Sequence, residues 1–247
     1  MTPSHSFIVV CEGSVDREVS IQLTVRTFSE LADWLTPESL NFRGIDDGKL
    51  FSTWAGISNR QDVPKHKGFK EGWGPDTETA RRALHLASGK GVSGVILLRD
   101  ADKADAESKR AELEAAVRAF RSTEVGAPLP VATGVAMAKV EAWLLAAQDL
   151  DAEVLPELLQ ELGFNPVVHP EELTASDAPQ AKRSAKRVLA RLSTLEQALE
   201  LLATAALDVL LKHGKKTGLP EFLCELRCGL GPVMGHVPSC EWCRCSD

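Results

Sequence analysis

The sequence predicts an α/β fold: a mostly parallel sheet flanked by helices, with a helical C-terminal extension. Three observations predict it. Residues 7–10 and 92–98 are short, largely apolar runs, the signature of strands buried on both faces. Segments with helical periodicity follow them, and that alternation belongs to parallel sheets with helical crossovers. The last third is mostly helical in pattern.

The elements follow in order. Phe7 to Val10 forms the first strand and ends in Cys11-Glu12-Gly13. A helix then starts near Val15 and runs toward Trp34, with Ser14 placed to cap it and Asp16 and Glu18 in its first turns. Thr24, Val25 and Thr27 leave its end open. Residues 36–75 are polar and rich in Gly, Asp and Lys, and read as an insertion or long loops. So long a segment without structure is rare, so an element is expected inside it. A helix over 77–87 is broken by Gly89 and Gly91, and the second strand ends in Arg99-Asp100-Ala101-Asp102. Residues 104–120 form an amphipathic helix with Leu113, Ala116, Val117 and Phe120 on one face. A third strand is expected at 129–135, then helices at 137–148, 151–162 and 179–206. The last splits near Ser193, which has capping-box spacing to Glu196.

The chain has 247 residues, enough for one large domain or one with an appendage. A net charge of -7 argues against a surface that coats DNA wholesale, while leaving room for local basic patches. No run of 18 apolar residues exists, so no membrane span is expected. Nor does a basic region followed by a long apolar run open the chain, so a cytoplasmic location with reduced cysteines is expected.

Acidic residues fall where parallel sheets gather ligands, beyond the carboxyl ends of strands. Glu12 follows the first strand; Asp100 and Asp102 follow the second. An extended backbone would turn Asp100 and Asp102 to one side, where a hard cation relieves their repulsion. The plainer alternative is that they cap the following helix, Asp102 above all, and that Glu12 is a turn residue. Glu141 sits among apolar neighbours, so it either faces the polar mouth of the sheet or is served by Lys139 and solvent. Trp143 reads as core and Cys11 as structural.

These segments resemble a known family. Val9-Val10-Cys11-Glu12-Gly13-Ser14-Val15-Asp16 is similar to the glutamate-glycine motif of TOPRIM domains, and Leu97-Leu98-Arg99-Asp100-Ala101-Asp102 to their aspartate-x-aspartate motif. Val140-Glu141-Ala142-Trp143-Leu144-Leu145-Ala146 resembles the corresponding segment of the TOPRIM-like DUF4276 family, as does the polar stretch from His169 to Leu173 with Ala181-Lys182. The resemblance covers about residues 6–200. It implies a TOPRIM-like, Rossmann-like sheet over 1–200 including the insertion at about 36–75, with 201–247 as a helical extension and cysteine-rich tail. It also implies Mg²⁺ or Mn²⁺ at Glu12, Asp100 and Asp102, with Glu12 assisting proton transfer and Glu141 as a further catalytic carboxylate. Relatives include defence-associated bacterial proteins.

A phosphate backbone needs positive charge near such a cluster. Arg99 adjoins it, and Lys182 and Lys186 are spaced to share a helix side. The alternative is a solvated helix face. Cys224, Cys228, Cys240 and Cys243 could hold a structural zinc; otherwise the tail carries free thiols. The first expectation is therefore a divalent-metal-dependent nuclease or related phosphodiester-acting enzyme, in bacterial defence or DNA maintenance, with nucleic acid as its partner. The alternative is a non-catalytic TOPRIM-like subunit acting through a neighbour-encoded protein. A dinucleotide-binding fold is disfavoured, because only one glycine stands where that fingerprint needs three.

Overall fold

The computed structural model describes residues 5–60, 74–102, 104–123, 129–176, 178 and 180–236. Its centre is a five-stranded sheet in which every pairing is parallel. The strands are β1 (His5–Cys11), β2 (Leu40–Arg43), β3 (Ser52–Thr53), β4 (Gly94–Ala101) and β5 (Val131–Met137). They run in the order β2-β1-β4-β5, with β3 continuing the β2 edge against Val10 and Cys11. This is a generic Rossmann-like α/β architecture.

Burial on both faces explains the unbroken apolar runs of β1 and β4. Side chains alternate along a strand, so each run feeds two cores. Phe7, Val9, Ile96 and Leu98 join one, with α1 (Ser14–Leu31) and the C-terminal helices. Ile8, Val10, Val95 and Leu97 join the other, under α3 (Pro75–Ser88) and α4 (Ala106–Arg121).

Helix α1 runs on past the threonines that left its end open. The hydroxyls of Thr24 and Thr27 donate to the carbonyls of Ser20 and Leu23, each at 2.7 Å, which satisfies them inside the helix. The insertion does hide structure: β2, β3 and the short α2 (Trp54–Ser58). The third strand and the helix after it begin later than expected. Strand β5 extends to Met137, and α5 spans Glu141–Ala146. The C-terminal helices are α6 (Leu155–Leu162), α7 (Ala185–Leu192), α8 (Leu195–Thr204), α9 (Leu207–His213) and α10 (Leu219–Glu225). The break near Ser193 is real, but the capping box sits one residue later. The Thr194 hydroxyl accepts from the Gln197 amide, and the Gln197 side chain accepts from the Thr194 amide.

Trp143 is core: fully buried and stacked on Phe222 with ring centroids 5.3 Å apart. Among the described residues, no helix is long and apolar enough to cross a membrane.

Candidate functional site at the carboxyl end of the sheet

Strand alternation sorts the acidic residues. On β1, Ile8 and Val10 share a face that Glu12 continues; on β4, Val95, Leu97 and then Arg99 share that same face. There the Arg99 guanidinium donates to the Glu12 carboxylate and, at 2.9 Å, to Asp76 Oδ2. Lys109 lies 3.9 Å from the same Asp76 oxygen. The guanidinium also stacks over Trp54, 5.3 Å from the ring centroid. Burial lowers the pKa of Arg99, but Asp100 and Glu112 oppose the shift. This face of the rim is charged and ion-paired, although burial, with Glu112 adding and Lys109 opposing, raises the Asp76 carboxyl.

The opposite face is different. Asp100 follows Ile96 and Leu98 there, with Cys11 above Val9 on the neighbouring strand. Its electrostatic neighbours are Asp16, Glu141 and Lys139. Burial first, then the charges of Asp16 and Glu141, raise the Asp100 carboxyl to about 7, against the pull of Lys139 and the Val140 amide. Asp100 Oδ1 is buried and has no hydrogen-bond partner among the described residues. Leaving such an acceptor unpaired costs about 1–3 kcal/mol, so it invites a positive ligand.

Asp16 is the residue that sequence reasoning placed only as a helix-dipole partner. It is 5% exposed and accepts the Gly13 amide at 2.6 Å, which folds the first turn of α1 back over the end of β1. Burial raises its carboxyl to about 6, with the Glu141 charge adding and the Gly13 amide and Lys139 opposing. The available signal was its spacing: four residues beyond Glu12, one helical turn past a strand end.

Glu141 and Lys139 arrive by a backbone kink. Ala138 and Lys139 follow β5 with φ of 59° and 70°, the left-handed region that residues with side chains seldom occupy. Such strain costs about 1–3 kcal/mol per residue and gathers at working sites. The kink starts α5 at Glu141 and brings the Val140 amide to Asp100.

The other expected residues fall elsewhere. Strand β4 ends at Ala101, and the backbone turns at Asp102, whose carbonyl accepts from the Asp105 and Ala106 amides; its side chain is exposed. The structure thus brings Asp100 and Glu141 together with Asp16, pairs Glu12 with Arg99, and leaves Asp102 at the surface. Cys11 is buried, its thiol donating to the Gly13 carbonyl at 3.2 Å. Burial pushes that thiol well up, so it stays protonated. Lys182 and Lys186 are exposed on and beside α7. Cys224 is disulfide-bonded. Cys228 is half-buried, and Cys240 and Cys243 lie outside the described residues.

As the side chains stand, no group of three or more His, Cys, Asp or Glu among the described residues is gathered closely enough to hold a metal ion. Mg²⁺ asks for less: it keeps several waters and is commonly held by one or two carboxylates with substrate phosphate. An unpartnered buried oxygen on Asp100, with Asp16 and Glu141 as its charged neighbours, fits that requirement. No family model, curated protein or solved structure matches the chain.

Proposed function

We propose that the chain is a divalent-metal-dependent, phosphodiester-acting enzyme of TOPRIM-like type, with nuclease activity the reading its site supports best. The observation that carries it is the unpartnered, buried Oδ1 of Asp100, set against the charges of Asp16 and Glu141. In this reading Asp100 and Asp16 hold Mg²⁺ or Mn²⁺, with Glu141 beside them. The bound cation would neutralise a phosphoryl oxygen and lower the pKa of an attacking water. The Val140 amide, set by the kink at Ala138 and Lys139, orients Asp100. Lys139 keeps one positive charge among the carboxylates and limits their mutual repulsion. The water oxygen bonds to phosphorus, the ester P–O bond breaks, and the leaving oxygen takes a proton from solvent. The attacking water gives its proton to solvent, because Glu12 is held by Arg99 on the opposite face of the rim.

That engagement of Glu12 also favours a second reading, a regulatory subunit whose partner or substrate frees Glu12. One experiment separates the two: cleavage of DNA and RNA substrates with Mg²⁺ or Mn²⁺ by the native chain and by Asp100→Ala. Metal-dependent cleavage that falls at least 100-fold in the variant supports hydrolysis at this site. Cleavage that survives the substitution contradicts it. If neither protein cleaves, the subunit reading stands in its place.

A further inference from the structure

Several basic residues of the C-terminal third are engaged within the protein, while Lys182 and Lys186 are exposed on and beside α7. On α7, Arg187 and Arg191 face the acidic α6: Arg187 lies 3.7 Å from Glu161, and Arg191 3.4 Å from Glu157. Arg183 stacks on Phe164, 5.4 Å from the ring centroid. Much of that charge is used within the protein. Lys215 and Lys216 are placed otherwise. They stand on the turn between α9 and α10, and both are exposed.

The backbone of that turn is clamped to the sheet. The carbonyl of the fully buried Thr217 accepts from the Met137 amide at 2.9 Å and from the Trp143 indole at 2.8 Å. The Thr217 hydroxyl closes the turn on the Gly214 carbonyl at 2.8 Å. Gly218 follows with φ of 85°, and a Cβ there would lie 2.0 Å from the Val135 carbonyl oxygen, so only glycine lets the turn approach so closely. Within residues 214–218, Lys215 and Lys216 are the exposed ones. Lys216 Nζ is 3.8 Å from the buried Glu171, yet its side chain remains 70% exposed, so that pair neutralises it weakly. Among the described residues, Lys215 makes no ion pair.

The anchor point fixes where the backbone that carries these lysines sits. Met137 pairs with Ala101, the residue after Asp100, so the turn begins two strand spacings from the acidic site, roughly 10 Å. Trp143, its second anchor, lies on α5, the helix that Glu141 opens.

We propose that the Lys215–Lys216 turn contacts the backbone phosphates of a nucleic-acid strand whose reacting phosphate lies at Asp100. This rests on the phosphodiester reading above. Lysines on a rigid turn act as point charges, so the contact is to the phosphodiester backbone and does not read sequence.

The test is binding of fluorescein-labelled 20-nucleotide DNA and RNA single strands in EDTA, across a salt series, by anisotropy. Relative to the native chain, a Lys215→Ala/Lys216→Ala variant should bind about tenfold more weakly at 100 mM salt, with a salt slope smaller by about 1–2. Lys182→Ala/Lys186→Ala should bind as the native chain does. Unchanged melting temperatures show that both variants are folded. If the Lys215/Lys216 variant binds like the native chain, if the loss falls on the Lys182/Lys186 variant instead, or if the native chain binds neither strand, the proposal is overturned. Failure of the underlying reading looks different: lysine-dependent binding with no metal-dependent cleavage removes the hydrolase and leaves the turn as a nucleic-acid contact.

Discussion

The two faces of the sheet carry the same residue types at the same end and use them oppositely. On one, Glu12, Asp76, Arg99 and Lys109 neutralise one another, and Trp54 covers the guanidinium. On the other, Asp16, Asp100 and Glu141 act on one another and on Lys139, and burial raises the first two. A neutralised cluster holds structure together, whereas an under-neutralised one lowers the stability of the free protein and gains by binding a cation. The difference comes from the two-residue period of a strand: Arg99 and Asp100 are sequence neighbours, yet they serve opposite faces.

The largest effect should come from breaking the neutralised face. Arg99→Ala leaves Asp76, whose side chain is 11% exposed, without its main partner. A loss of about 3 kcal/mol in denaturant unfolding is expected. A loss under about 1 kcal/mol would mean that this face is not a structural ion-pair network.

The under-neutralised face should respond in the opposite direction. The Asp16 and Asp100 carboxyls sit at about 6 and 7 in the folded chain, above their ordinary 3.8. The folded state therefore holds more protons than the unfolded state between about pH 4 and 7. Its stability falls as pH rises through that window. Asp100→Asn removes the charge and should raise stability at pH 8 without metal by about 1 kcal/mol, or 2–4 °C in melting temperature. At pH 4 it should change little. A destabilised variant at pH 8 would mean that the free carboxylate is well satisfied.

The smallest effect is expected at Glu12. Its exposed carboxylate is replaceable in a network where Arg99 keeps Asp76, so Glu12→Gln should cost less than about 1 kcal/mol. Cation binding on the other face should not change. If binding is lost with Glu12, the two faces share one site.

Much of this was legible in the sequence. The apolar runs of β1 and β4 announce a parallel sheet, and the acids after them announce its carboxyl end. The grouping of those acids was not legible, because it depends on register between strands distant in sequence. Glu12 meets Arg99 only because Phe7 pairs with Gly94 and not with a neighbouring residue. Asp102 loses the alternation because β4 stops at Ala101. Asp16 was hidden by its position: an acid in a first helical turn has an ordinary explanation in the helix dipole, and only burial reveals the other. Strands β2 and β3, four and two residues long, are too short to show a period. The Ala138–Lys139 kink has no sequence signal, since neither residue favours the left-handed region.

The central claim is that Asp100 and its neighbours form a cation site, and Mn²⁺ binding followed by electron paramagnetic resonance tests it most directly. The native chain should bind Mn²⁺ at pH 8 and at least tenfold more weakly at pH 5, where the Asp16 and Asp100 carboxyls are protonated. Asp100→Asn should not bind it at either pH. Equal binding by the native chain and the variant, or binding indifferent to pH across that range, would contradict the account.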